Sequence, residues 1–237
     1  MCSRPEAVRR RSLLALLAGL ALVGAAPPGM DPKNPTCPKA PGWGALTPMQ
    51  FRFQQQDDAK ILIAEGAIDD NLIPRLKAAL AQQPNEIWLR SPGGNAKIGN
   101  EAGMLIRKTG LIVTRIPSGW ACFSACNFLF MGGRGRIIDP GGQFIVHMFT
   151  HTGDRDVIRQ EVARGTENTV GLIAEIEQGS AMLASEDNDF LIRMGVSRKL
   201  LTDVMYKQSA VESAGDGSTR RCLTLDEAAL YKVTNAR

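Results

Sequence analysis

From Pro48 to His147 the apolar positions switch back and forth between a spacing of two residues and a spacing near 3.6, the periods of strand and helix. Phe51 and Phe53 alternate with polar residues and predict a strand; after a turn at Gln56-Asp57-Asp58 a second strand follows over Lys60–Ala64. Asp69-Asp70 then opens a helix running to about Gln83, with Leu72, Ile73, Leu76, Ala79 and Leu80 as its buried stripe and Pro74 tolerated in the first turn. The strand Glu86–Arg90 leads into Gly93-Gly94, beyond which Ile98, Ala102, Leu105 and Ile106 recur at helical spacing until Gly110. Residues 111–116 make the next strand, Ser124 precedes a helix expected over Ala125–Met131, and Phe144–His147 is an apolar strand. Strands and helices alternating at such short spacing require parallel strands joined by right-handed crossovers. In sheets of that kind chemistry collects at the carboxyl ends of the strands. The Gly93-Gly94 turn and the Ser124 junction both lie at such ends, so they are expected to meet in space.

The flanks read differently. Residues 27–45 hold prolines and glycines so densely that no helix or interior strand runs through them, which makes them an extended arm. Residues 152–210 look helical, with Val170, Ile173, Ile176, Phe190, Leu191 and Leu200 at mixed spacing, a break at Gly195 and a cap at Ser197. At the N-terminus Arg9-Arg10-Arg11 precedes an uncharged run, Leu13–Ala26, which as a helix spans about 21 Å against roughly 30 Å of bilayer hydrocarbon. A basic segment, a short apolar segment and small residues ending in Val23-Gly24-Ala25 make a secretory signal peptide, cut after Ala25 because Pro27 hinders cutting one residue later. The expected layout is a signal peptide over residues 1–26, the arm over 27–45 and one globular domain over 46–237. The destination is the periplasm or the exterior, with no stable membrane anchor once the leader is gone.

At 237 residues and 44% hydrophobic content the chain can bury one substantial core. Losing the leader removes four of its 28 basic and one of its 24 acidic residues, so the net charge falls from +4 to +1. That balance excludes nucleic acid and anionic membranes as partners. Arg134-Gly135-Arg136 is the one local basic pair and is read as a solvated turn.

Three short motifs carry candidate chemistry. Ser91-Pro92-Gly93-Gly94 follows a strand and exposes backbone N–H groups; Ser124 stands between small residues in Gly119-Trp-Ala-Cys-Phe-Ser-Ala-Cys126; and His147 ends an apolar strand. A serine nucleophile, a histidine base and a backbone oxyanion site are the parts of a serine hydrolase. Ser124 has a second reading as the N-cap of the helix it precedes. His147, set among Ile145, Val146, Met148 and Phe149, has one as a buried core histidine, in which case His151 is the spare imidazole. The N–H groups of Gly94 and Ala125 are the natural oxyanion donors, since a glycine turn admits a substrate carbonyl and a helix start adds positive potential. Two histidines without clustered acids exclude a zinc site, and no cofactor is expected.

The order of these motifs resembles the ClpP/crotonase superfamily, and within it the Clp protease proteolytic subunit and its exported relatives. The family's Ser-Pro-Gly-Gly turn falls on Ser91–Gly94, its nucleophile motif on Ser124–Gly133 and its strand-borne histidine on His147. Arg221-Cys-Leu-Thr-Leu-Asp-Glu-Ala-Ala-Leu-Tyr231 resembles its closing strand and helix. The resemblance implies an α/β fold: a ClpP/crotonase-like ββα spiral core with mostly parallel strands and a helical C-terminal region. It further implies a peptide or protein substrate and a homo-oligomer, and nothing in the chain resembles a docking site for an ATPase partner. The pattern fails at the triad's carboxylate, where the alignment puts Arg220, a residue that cannot accept the imidazole N–H. Asp216 in a Gly-flanked loop and Asp203 are the alternatives, as is no aspartate at all. A Ser-Lys dyad would need Lys97 or Lys207, and neither stands at a matching position. Two functions therefore remain: a serine peptidase-like hydrolase, or a catalytically silent binding or scaffold protein. An acyl-CoA enzyme of the crotonase branch has no use for a Ser-His pair.

Of the five cysteines Cys2 leaves with the leader. Cys122 and Cys126 bracket Ser124 closely enough to bridge, which leaves Cys37 to tie the arm to Cys222; buried free thiols are the other reading. A spacing other than Cys-x-x-Cys argues against a thioredoxin-like role.

Overall fold

The two alternating segments at the start of the body form an antiparallel hairpin, β1 (Gln50–Gln56) and β2 (Ala59–Glu65), in a computed structural model that describes residues 29–148, 155–209 and 219–236. Helix α1 (Leu72–Leu80) buries the expected stripe but is shorter than the expected 69–83. At its start the Asp69 carboxylate accepts from the Asn71 N–H at 2.9 Å and pairs with Arg75, while Asp70 accepts from Asn95 at 2.7 Å, so both acids act as loop residues. At its end Gln83 turns left-handed with φ 55°.

Strand β3 (Glu86–Arg90) pairs parallel with β2, and helix α2 (Ala96–Thr109) returns the chain to β4 (Val113–Ile116), parallel to β3. The Asn95 side chain caps α2 by accepting from the Ile98 N–H. Strand β4 begins later than expected because Leu111 stays in the connection, 90% exposed. After β5 (Ala121–Phe123) and α3 (Cys126–Gly132), β6 (Gly135–Ile138) joins β4 in parallel. The main sheet thus has the order β1-β2-β3-β4-β6. A smaller sheet holds β5, β7 (Gln143–His147) and β8 (Arg220–Cys222); β5 and β7 run parallel, β7 and β8 antiparallel. One parallel bridge, Ser91 to Cys122, joins the carboxyl end of β3 to β5 and so brings the Gly-Gly turn to the Ser124 junction.

Helices α2 and α3 pack on the main sheet. Their backbones touch at Gly103 and Gly132, where a Cβ on Gly132 would lie 2.4 Å from the Gly103 carbonyl oxygen. Helices α4 (Arg155–Ala163) and α5 (Thr166–Met194) follow, and α5 inserts Phe190, Leu191 and Met194 into the core before Gly195 ends it in the left-handed conformation. A π-helical turn, Leu200–Val204, adds Leu200, Leu201 and Val204, and α6 (Leu225–Leu230) starts at a Thr224/Glu227 capping box.

Arg136 corrects the reading of Arg134–Arg136 as a solvated turn. It lies on β6 at 2% exposure, and its guanidinium donates to the carbonyls of Gly133, Met194, Lys232 and Val233. Gly133 and Met194 close α3 and α5, so the cation sits where helix C-termini concentrate negative partial charge. Burial still lowers its pKa to about 10.

The arm is fastened rather than free. Met30 bridges Pro38, and disulfides join Cys37 to Cys222 (Cα–Cα 5.1 Å) and Cys122 to Cys126 (5.3 Å), the pairing weighed above against free thiols. The signal-peptide segment lies outside the described residues, among which no helix is long and apolar enough to cross a membrane.

Candidate active site

Ser124 follows the last residue of β5 with φ 56°, a left-handed conformation that a non-glycine residue adopts only where its surroundings hold it. The elbow is held from both sides. From β7, the Ile145 carbonyl accepts from the Ser124 N–H at 3.3 Å and from Asn127 Nδ2 at 2.8 Å. From β3, the Ser-Pro-Gly-Gly turn presses against it: Ser91 is fully buried, and its Oγ accepts from the Gly93 N–H at 3.1 Å. Gly93 has φ 85°, and a Cβ there would lie 2.6 Å from the Phe123 oxygen and 2.7 Å from Ser124 Cβ. Gly93→Ala is therefore expected to displace the elbow and lower any Ser124-dependent reaction by at least about 10²-fold, while Pro92→Ala, which adds no atom beside Ser124, should be mild; kinetics on both variants check this.

His147 ends β7 beside the elbow, and its Nε2 lies 2.7 Å from Ser124 Oγ. Burial lowers the imidazole pKa, against a smaller opposing effect of a hydrogen bond with the Met148 backbone. The Phe123 ring packs 4.8 Å from the imidazole and stacks in turn on Trp43 of the arm at 5.2 Å. The N-cap reading of Ser124 does not hold: α3 is capped at Ala125, and the serine side chain is bonded to His147 instead. Gly94 and Ala125 stand next to the elbow, where a Cβ on Gly93 would lie 3.1 Å from the Ala125 nitrogen. Neither N–H has a protein acceptor among the described residues.

The carboxylate position is occupied by a cation. His147 and Arg220 are direct partners in the β7–β8 register, but the Arg220 guanidinium donates to Asp31 at 2.7 Å and lies over Trp43, 5.6 Å from the ring centroid. Asp203 accepts from its neighbour Thr202 at 3.1 Å and is not bonded to the imidazole. Lys97 and Lys207 are not among the partners of Ser124. Asp216 and His151 lie outside the described residues.

An apolar cavity of about 50 Å³ opens beside Ser124 and His147, walled by Phe128, Met131, Val146, Leu183, Leu191 and Leu201. Asp187 of α5 also faces it, 8% exposed, with its pKa raised to about 7 by burial and by Glu186. This residue was not anticipated from the sequence. The available signal was an acid on the same helical face as Leu183, Phe190, Leu191 and Met194.

No protein-family model and no curated protein matches the chain. Solved structures do. A variant of ClpP1 from Listeria monocytogenes matches with a TM-score of 0.51 at 14% identity over 74% of this chain and 89% of its own. A membrane-bound stomatin-specific protease gives 0.48 at 13% identity over 74% and 76%, and an enoyl-CoA hydratase from Shewanella pealeana 0.44 at 12% over 78% and 66%. The chain has the ClpP/crotonase fold, a mixed α/β arrangement with a mostly parallel main sheet.

Proposed function

We propose that this protein is an exported serine hydrolase of the peptidase type, acting on a peptide or protein by acyl transfer. The observation that supports it most directly is the 2.7 Å contact between His147 Nε2 and Ser124 Oγ at a strained elbow facing a cavity. In the reaction Ser124 Oγ attacks the scissile carbonyl carbon as its proton passes to His147 Nε2. The N–H groups of Gly94 and Ala125 hold the oxyanion. The imidazolium then gives the proton to the leaving amine, and water, activated by the same nitrogen, hydrolyses the acyl-enzyme. Asp216 is the carboxylate that would convert the dyad into a triad.

Arg220 opposite His147 favours the second reading, a silent scaffold. A fluorophosphonate separates the two: it labels the wild-type protein and not Ser124→Ala, with unchanged circular dichroism, if the site is active. A wild type that stays unlabelled at every pH from about 6 to 9, where a histidine base is largely neutral, establishes the scaffold.

A further inference from the structure

Two residues that line the cavity beside Ser124 each carry a buried side-chain oxygen with no partner among the described residues. These oxygens are Oδ1 of Asp187 on α5 and Oδ1 of Asn127 on α3, and both residues are more than nine-tenths buried. The Asn127 amide cannot turn its NH₂ inward without giving up the bond to the Ile145 carbonyl. An unpaired acceptor in an apolar site costs about 1–3 kcal/mol, more when charged, and nothing in the catalytic steps uses either oxygen. Among the described residues lining the cavity His147 is the only other titratable group, and its Nε2 is engaged with Ser124; Glu186 and Tyr206 flank Asp187 outside it and offer no cation. Among the described residues the site lacks a cationic donor.

We propose that this cavity is the specificity pocket of the hydrolase and takes a lysine side chain, its ammonium donating to Asp187 and Asn127. The walls suit a run of methylenes, and about 50 Å³ corresponds to roughly three water-sized spheres, room for an unbranched chain and not for an aromatic ring. An ammonium offers three donors against these two acceptors and one water. A guanidinium brings five in a wide planar fork and leaves most of them unpaired. When the pocket is empty, part of the Asp187 population is neutral at pH 7; on binding, the carboxyl releases its proton to solvent and pairs with the cation, so charge and protons balance.

The kinetic test rests on the hydrolase reading and compares N-acyl-lysine with N-acyl-norleucine thioesters, which differ at the chain end by an ammonium in place of a methyl. The full mature chain is expected to favour lysine in kcat/KM by about 10²-fold or more, since rejecting the analogue leaves buried acceptors unpaired. In Asp187→Asn that ratio should fall to near one. A wild type that prefers norleucine or handles arginine as well as lysine, or an Asp187→Asn that keeps the lysine preference while turnover falls on both substrates, overturns the proposal. A binding arm needs no turnover: in the Ser124→Ala background N-acetyl-lysine methylamide should raise Tm, and with Asp187→Asn added it should not. If no fluorophosphonate labelling occurs but this shift is seen, the hydrolase reading fails and the lysine pocket stands; labelling without any shift does the reverse.

Discussion

Replacing His147 by alanine is expected to cut hydrolysis of an activated ester by about 10²- to 10⁴-fold, the usual worth of a positioned general base, while the far-ultraviolet circular dichroism is unchanged. The side chain ends β7 and its removal disturbs no ladder bond, so the loss should appear in turnover and not in folding. The pH profile has a fixed sign. Burial holds the imidazole below its ordinary value of 6.5, so the base stays neutral as pH falls past that value and the acid limb of kcat/KM lies lower still. The same shift acts on stability. Protonation favours the unfolded chain, so the contribution of His147 is complete above the unfolded pKa and is lost as pH falls through the folded one. An acid limb at or above 7 in the wild type, or a His147→Ala variant with full turnover, would remove His147 from the mechanism.

The parts of the site legible in the sequence are those whose chemistry is local. A glycine pair after a strand announces a turn, and a serine among small residues between a strand and a helix announces a junction; parallel topology then brings the two together through the Ser91–Cys122 bridge. What was not legible is set by tertiary contact. Arg136 reads as a surface charge until the ends of α3 and α5 and the segment after α6 converge on it with their carbonyls. Asp187 reads as one acid among the polar residues of a long helix until Leu200 and Leu201 pack beside it. Asp69 and Asp70 look like the opening of a helix because acids favour first turns, but their side chains are committed to Arg75 and Asn95.

Removing the Cys37–Cys222 bridge by a double alanine substitution is expected to lower stability by about 5 kcal/mol, against about 2 kcal/mol for the Cys122–Cys126 pair. The difference follows from loop length, since the bridges close segments separated by 185 and 4 positions, and a longer closed loop withholds more entropy from the unfolded chain. With total stability of about 5–15 kcal/mol typical for a domain, the first variant should be marginal at room temperature and the second should stay folded. Urea midpoints of the two variants decide it. Equal losses, or free thiols in the native protein on titration, would contradict this account. The short bridge brackets Ser124, so its loss should show instead in a slower fluorophosphonate reaction.

The fastened arm has one more effect. Strand β8 forms one edge of the small sheet, and such edges offer unpaired amides to any extended chain that approaches. Here the arm answers those amides with side chains: Asn34 Oδ1 accepts from the Thr219 and Arg220 N–H groups at 3.0 and 2.9 Å, and Thr36 Oγ1 from Cys222 at 3.1 Å. A side-chain mimic of a neighbouring strand satisfies the backbone without presenting a new ladder on its far side. The rim is thereby closed to β-augmentation, and two copies cannot stack edge to edge there into an aggregate, with the Cys37–Cys222 bond fastening the arm in place.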